Sequence, residues 1–260
     1  MKRRQAANLL REDFVRATLL TALMLLLAIS AFAAEPQDVS YRSGDETVHA
    51  LLYMPKGDGP FPALVVIHEW WGLNDWVKQQ ASNLADQGYA ALAIDLYRGQ
   101  VATTPDEAHQ LMRGVPEDRA ARDLLAASAY LRSLAKVSAK KVGVIGWCMG
   151  GGYALDLAIA DPKLKAAVIN YGHLATDKNN LRKIHAAILG IFGGEDQGIP
   201  VADVRKFEAQ LEAMDKKVEI HIYPEAGHGF ENPNNEKNYR ADDAAKAQKI
   251  TMDFLARNLK

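Results

Sequence analysis

With 260 residues, 48% hydrophobic and 24% charged, the chain is too apolar to be disordered and long enough for one large domain or two small ones. A net charge of −1 leaves no electrostatic footprint for a nucleic-acid partner. One cysteine, Cys148, excludes an internal disulfide and a cysteine-based metal cluster.

The first segment reads as an address rather than as part of a fold. Met1 to Arg16 carries Lys2, Arg3, Arg4, Arg11 and Arg16 against only Glu12 and Asp13. Ala17 to Ser30 is apolar apart from Thr18 and Thr21, shorter than the roughly 18–20 residues that span a bilayer. Ala31 and Ala33 then stand where a signal peptidase reads small residues. Residues 1–33 are expected to be a signal peptide cleaved after Ala33, and 34–260 a single domain that is periplasmic or secreted, with no stable membrane span after cleavage. An uncleaved anchor is the competing reading. Arg3-Arg4 lacks the context of a twin-arginine signal, which favours ordinary secretion. Cleavage removes five basic and two acidic side chains and takes the net charge from −1 to −4.

From there, strands and helices alternate. Asp38 to Tyr41 and Thr47 to Met54 read as a hairpin across Ser43, Gly44 and Asp45. Ala63 to His68 is a wholly apolar central strand, followed by E-W-W-G-L-N-D at 69–75 and a helix over 76–86 capped by Asn74 or Asp75. Tyr89 to Leu96 is a buried strand, 101–117 the least regular stretch with a short helix, and 118–134 a long amphipathic helix. Lys141 to Ile145, Lys165 to Tyr171, Ala186 to Phe192 and Val218 to Tyr223 are further strands. Helices are expected over 153–160, 201–214 and 239–259. This alternation predicts an α/β fold, a mostly parallel twisted sheet of about eight strands with helices on both faces.

The most informative stretch is V-G-V-I-G-W-C-M-G-G-G-Y at 142–153. A β-branched strand runs into a glycine-rich turn and then a helix, which places Cys148 on a sharp bend. This is the layout of a nucleophile elbow, G-x-S-x-G, with cysteine for serine. Small flanking residues let the side chain project, and the helix N-terminus offers free N–H groups to an oxyanion. A phosphate-binding turn is the alternative, but neither G-x-G-x-x-G with its later acid nor a Walker lysine is present. A buried, inert thiol is the plainer reading of a lone cysteine.

Reactive groups in such a sheet sit beyond the carboxyl ends of strands. Cys148, Asp196 and His228 each follow a strand, each with glycine within two positions on both sides, in the order nucleophile, acid, histidine of the α/β-hydrolases. His228 would take the thiol proton, and Asp196 would fix the imidazole tautomer. Glu195 is the alternative acid. His49, His185 and His221 lie in or beside strands and read as structural, and His109 falls on the irregular segment. His68 ends a strand where it could shape the oxyanion loop, and His173 ends one at the active face. No H-x-x-x-H or H-x-H pair occurs, so no metal site is expected. The oxyanion donors are expected to be the backbone N–H groups of Trp70 and Met149.

Taken together, H-E-W-W-G-L-N, D-Q-G-Y-A-A-L-A-I-D-L-Y, V-G-V-I-G-W-C-M-G-G, F-G-G-E-D and Y-P-E-A-G-H-G-F resemble the dienelactone hydrolase (carboxymethylenebutenolidase) family over residues 38 to 260. The resemblance implies that Cys148, Asp196 and His228 form the triad, that Glu69 sits beside the nucleophile and modulates it, and that an unsaturated, carboxylate-bearing lactone is opened without cofactor. A carboxylate near a thiol raises the thiol's pKa, which would keep a resting Cys148 protonated; a loop-bonding glutamate is the alternative. The family holds its substrate carboxylate with arginines after the D-L-Y segment and after the catalytic histidine. Here Arg98 follows Tyr97 with a displacement of about one position, and Glu231 and Asn232 follow His228 with no arginine. Arg98, Tyr97, Tyr171 and Trp71 are the candidate substrate contacts. A neutral or larger ester or lactone fits this departure as well as an anionic one.

The expectation is therefore an exported, cofactor-free hydrolase of small-molecule carboxylic esters or lactones, acting as a monomer through a Cys148 acyl-thioester. A thioesterase or acyl transferase on the same triad, and a non-catalytic binding protein that keeps the fold, are the alternatives. A redox role for Cys148 lacks a resolving cysteine.

Overall fold

The strand Phe61–Ile67 explains the layering of the molecule. Leu64 and Val66 enter one core, Ala63, Val65 and Ile67 the other, and all five are fully buried. Successive side chains of a strand point to opposite faces, so an uninterrupted apolar run needs cover on both. The computed structural model describes residues 36–260; the signal segment expected over 1–33 lies outside the described residues.

Eight strands are described: β1 (Pro36–Ser43), β2 (Glu46–Tyr53), β3 (Phe61–Ile67), β4 (Ala90–Ile94), β5 (Val137–Trp147), β6 (Ala166–Asn170), β7 (Ala187–Gly193) and β8 (Val218–Tyr223). They form a sheet in the order β1-β2-β4-β3-β5-β6-β7-β8. β1 pairs antiparallel with β2, and β2 with β4, while every later pairing is parallel. The helices are α1 (Asp75–Asp86), α2 (Pro105–Arg113), α3 (Glu117–Ser133), α4 (Met149–Ala160), α5 (Lys178–Arg182), α6 (Val201–Glu212) and α7 (Ala241–Leu259). Leu124 and Leu131 of α3, Leu155 of α4 and Phe207 of α6 fill the core on one face of the sheet. Val77 and Leu84 of α1, with Phe254 and Leu255 of α7, fill the other. This is the α/β architecture expected from the alternation.

The structure differs from the sequence reading at element ends. The nucleophile helix α4 begins at Met149, not Tyr153, so three glycines are helical. Glycine is a poor helix former, but packing overrides propensity here. A Cβ on Gly150 would collide with the carbonyl oxygens of Ile67 and His68, so only glycine lets the helix start against β3. α2 is a full helix within the stretch expected to be irregular. Thr104 caps it by accepting from Glu107 N, Glu107 reaches back, and Pro105 occupies the first turn. α7 starts at Ala241, two residues later than expected, because the chain before it is occupied in holding the loop of His228.

Strand order creates the site. From β3 the chain moves outward to β4, then returns to β5 on the other side of β3, so the loops after β3 and β5 diverge around a crevice. Ile67 is in register with Gly146, and Trp147 with Asn170. Two residues past the first pair stand Glu69 and Cys148; one past the second stand Cys148 and Tyr171.

Candidate active site

Cys148 sits at the N-cap of α4 with φ 54° and ψ −117°, a conformation that L-residues rarely adopt. The strain is held by hydrogen bonds on both sides. Cys148 N donates to Asn170 O at 3.0 Å, and Cys148 O accepts from Gly151 N at 3.0 Å. A Cβ at Gly146 would clash with the backbone of Gly150, so the bend closes only with glycine there. The thiol of Cys148 therefore stands at the head of a helix, where backbone dipoles favour negative charge.

His228 joins the other two members across the sheet edge. Its Nε2 lies 3.1 Å from Cys148 Sγ, and its Nδ1 lies 2.7 Å from Asp196 Oδ2. Asp196 Oδ1 accepts from Gly198 N at 2.8 Å and Ile199 N at 3.2 Å, so both carboxylate oxygens are engaged. Burial works against the charge of Asp196, but the bonds from His228 and the two backbone N–H groups outweigh it and hold the carboxyl below its ordinary pKa. Burial likewise opposes protonation of His228, yet Asp196 and Cys148 overcome it and push the imidazole up to about 10. Tyr171 packs its edge against the His228 ring at 5.4 Å.

Glu69 is buried beside this relay, and burial raises its carboxyl to about 7 despite a hydrogen bond from Asn232. Asn232 Nδ2 donates to Glu69 Oε2 at 2.6 Å; among the described residues no hydrogen bond links Glu69 to Cys148. The buried His68 fixes the loop from below. Its Nε2 accepts from Leu96 N at 3.2 Å, so Nδ1 carries the proton and donates to Glu69 O at 2.6 Å.

The backbone N–H groups of Trp70 and Met149 donate to no protein acceptor among the described residues, and both residues line the same cavity as Cys148. That cavity is about 630 Å³, bounded also by Glu69, Trp71, Met112 and His228. Trp70 and Trp71 meet edge to face at 5.0 Å.

Three sequence expectations for substrate contacts need correction. Arg98 turns away from the cavity: its guanidinium pairs with Asp123 at 2.7 Å and Glu46 at 2.9 Å, because the buried Asp123 of α3 requires a cation. Tyr97 is buried, and its hydroxyl lies 3.0 Å from Trp70 O and 3.2 Å from Met149 Sδ, tying together the two residues whose N–H groups remain free. Tyr171 is wholly buried, at φ 37°, against His228 and Phe230. Trp71 alone of the four lines the cavity. Glu231 does not confront substrate either. It lies against Trp147, whose Nε1 is 3.5 Å from Oε2, and borders a separate cavity between α1 and α7. His173 is not among the residues that line the active cavity.

Residues missed by the sequence reading complete the site. Asn235 Nδ2 and Asn238 Nδ2 each donate to His228 O at 2.9 Å, so the asparagine-rich stretch after the catalytic loop clamps it. Its only signal was the crowding of asparagines at 232, 234, 235 and 238. Among the described residues no cluster of three metal-ligating side chains occurs, and no helix is long and apolar enough to cross a membrane.

The dienelactone hydrolase family model matches residues 48–259. A relative in Methylorubrum extorquens, provisionally named carboxymethylenebutenolidase, is 31% identical over 268 residues, covering 98% of this chain and 92% of its own. One of the same provisional name in Escherichia coli K12 is 32% identical over 220 residues, with 79% and 80% covered. The crystal structure of a provisionally named dienelactone hydrolase from Klebsiella pneumoniae superposes with a TM-score of 0.79 at 27% identity, covering 86% of this chain and 99% of that one. A dienelactone hydrolase-like promiscuous phosphotriesterase from metagenomic libraries shares the fold, with a TM-score of 0.81 at 24% identity over 88% of this chain and all of its own. With the elbow, the sheet order and these likenesses together, the chain belongs to the dienelactone hydrolase family.

Proposed function

We propose that the protein is an exported, cofactor-independent hydrolase that opens carboxylic esters or lactones through an acyl-thioester on Cys148. The observation that carries the reading is the unbroken relay from Sγ to Nε2 at 3.1 Å and from Nδ1 to Asp196 at 2.7 Å.

In the acylation half, the proton of the Cys148–His228 pair is held on His228 Nε2, in the imidazole that Asp196 and Cys148 raise to about 10, as Cys148 Sγ bonds to the ester carbonyl carbon. The carbonyl oxygen becomes an oxyanion, which the N–H groups of Trp70 and Met149 would receive; one such donor typically contributes about 2.7–4 kcal/mol. The tetrahedral species collapses, the C–O bond of the leaving alcohol breaks, and His228 returns the proton to that oxygen. In deacylation a water gives its proton to His228 and adds to the thioester carbon; the C–S bond then breaks, and Cys148 leaves as a thiolate beside the protonated imidazole. Asp196 keeps Nδ1–H oriented throughout and offsets the imidazolium charge. Glu69 modulates the nucleophile by setting a carboxyl beside it, with the amide of Asn232 holding that carboxyl in place.

The test is to capture the acyl adduct by intact-mass spectrometry with ester, thioester and lactone substrates. Wild type should gain one acyl mass and show a burst with an activated aryl ester. Cys148→Ala should show neither. Adduct-free turnover that survives in Cys148→Ala would end the reading. Export is supported by the basic and then apolar run ending at Ala33, and is tested by N-terminal sequencing of protein recovered from the periplasm or medium.

A further inference from the structure

We infer that the preferred substrate is uncharged: an ester whose apolar portion rests on Trp70, Trp71, Met112 and Met149, with neutral oxygens facing Asn74 and Asn234. The inference rests on the hydrolase reading and narrows it to a substrate class.

The charge inventory of the cavity carries the argument. No lysine or arginine lines it. Arg98 is committed to Asp123 and Glu46, Arg119 Nη2 to the carbonyl of Leu96 at 3.0 Å, and Arg240 to Glu225 and Asp243, while Arg113, the chain neighbour of Met112, is exposed. The one carboxyl on the wall is Glu69, buried and hydrogen-bonded by the neutral amide of Asn232. A carboxylate on the substrate would enter a partly dehydrated space whose one cation, the imidazolium of His228, is already paired with Asp196 at 2.7 Å, and it would stand near that carboxyl. Burying a charge without a counter-ion is the costliest event such a site can impose.

The remaining wall describes what is welcome. The indoles of Trp70 and Trp71, edge to face at 5.0 Å, and the thioethers of Met112 and Met149 make a soft, polarisable surface for an alkyl or aryl group. Of the asparagines in the lining, three are occupied: Asn232 by Glu69, Asn235 and Asn238 by His228 O. Asn74 uses only its Oδ1, as acceptor for Val77 N at 3.2 Å, and the side chain of Asn234 makes no protein hydrogen bond among the described residues. Their amide N–H groups are neutral donors suited to carbonyl, ether or hydroxyl oxygens. A site built to hold a carboxylate uses charged donors in bidentate geometry instead.

The experiment compares an aryl butyrate with the matching aryl hemisuccinate, which differ by a terminal carboxylate. The expected kcat/KM ratio favours the butyrate by about 30-fold or more, and the ratio persists at 0.5 M salt because the discriminating groups are buried. A ratio within threefold, a reversed ratio, or one that high salt erases overturns the inference; the last would assign the discrimination to overall net charge. Binding of the same pair to Cys148→Ala, followed by tryptophan fluorescence, decides the matter without turnover, with the butyrate expected to bind at least tenfold tighter. Equal binding overturns the inference, whereas loss of Cys148-dependent turnover with the binding preference intact counts against the hydrolase reading alone. Asn234→Arg supplies the missing cation and should narrow the ratio by at least tenfold; an unchanged ratio would show that charge in this cavity does not set specificity.

Discussion

Asn232 and Glu69, 163 positions apart in the chain, meet at 2.6 Å beside the nucleophile. The amide is the strongest polar support of a carboxyl that burial has already pushed up to about 7. Replacing Asn232 with Ala should leave that carboxyl without its donor and raise its pKa further. An unpaired buried group costs about 1–3 kcal/mol. The expected result is a lower melting temperature at pH 8 and a smaller loss at pH 5, where Glu69 is already largely protonated. Equal destabilisation at both pH values would mean that the amide supports packing rather than the carboxyl's charge.

Asn235 and Asn238 donate to one carbonyl oxygen, that of His228, each at 2.9 Å. Because they share an acceptor, their removal should be non-additive. Each single Ala variant is expected to lower kcat by about two- to fivefold, since the remaining amide still pins the loop. The double variant should lose about 50-fold or more, because a misplacement of about 1 Å in a catalytic group costs on the order of a hundredfold. Steady-state kinetics across the four proteins measure the coupling; strictly multiplicative effects would contradict a shared clamp.

The contrast between these asparagines and the triad shows what a sequence can reveal. Cys148, Asp196 and His228 stand out because each follows a strand at the same sheet edge with glycine within two positions on both sides, so topology alone converges them. Asn235 and Asn238 sit in a loop whose composition says turn but not target. Arg98 stands at the expected edge but points away from the cavity, because nothing local announces that Asp123, within a helix, is buried and needs it. Tyr171 departs from expectation for a related reason: a residue just past a strand end can face solvent or core, and here, at φ 37°, the ring packs inward against His228. The glycines after Cys148 look like a loop by propensity and are helical by packing. Patterns of period and punctuation locate elements; side-chain destinations depend on partners far away in the chain.

Tyr97 gives a prediction about the oxyanion donors. Its hydroxyl lies 3.0 Å from Trp70 O and 3.2 Å from Met149 Sδ, and so braces the loop after β3 against the first residue of α4, which carry the proposed donors. Tyr97→Phe keeps the ring against His68, at 4.8 Å between centroids, while removing the brace. kcat should fall about tenfold with KM nearly unchanged, as for an interaction that matters in the transition state and not in the ground state. A rise in KM with unaltered kcat would instead give Tyr97 a part in ground-state binding.

Glu231 supplies the sharpest pH prediction. Its Oε1 is buried without a partner, Oε2 has only the long contact from Trp147 at 3.5 Å, and burial pushes its pKa up to about 8. In the unfolded chain the same carboxyl titrates near 4.3. A group whose pKa is raised by folding stabilises the native state most below the unfolded value, and that contribution drains away as pH rises through the folded one. Wild type should therefore lose stability steadily between about pH 4.5 and 8. Glu231→Gln is neutral throughout and should match wild type near pH 4, then exceed it by several kcal/mol above pH 8, with a ceiling of about 5 kcal/mol set by the shift from near 4.3 to about 8. The raised imidazole of His228 adds its own loss between about pH 6.5 and 10, but it is common to both proteins and cancels in the difference. Thermal unfolding of the pair across pH 4 to 9 reads the effect directly. Parallel curves would mean that Glu231 titrates in the folded protein as it does in water, and would place that carboxyl in contact with solvent instead of Trp147.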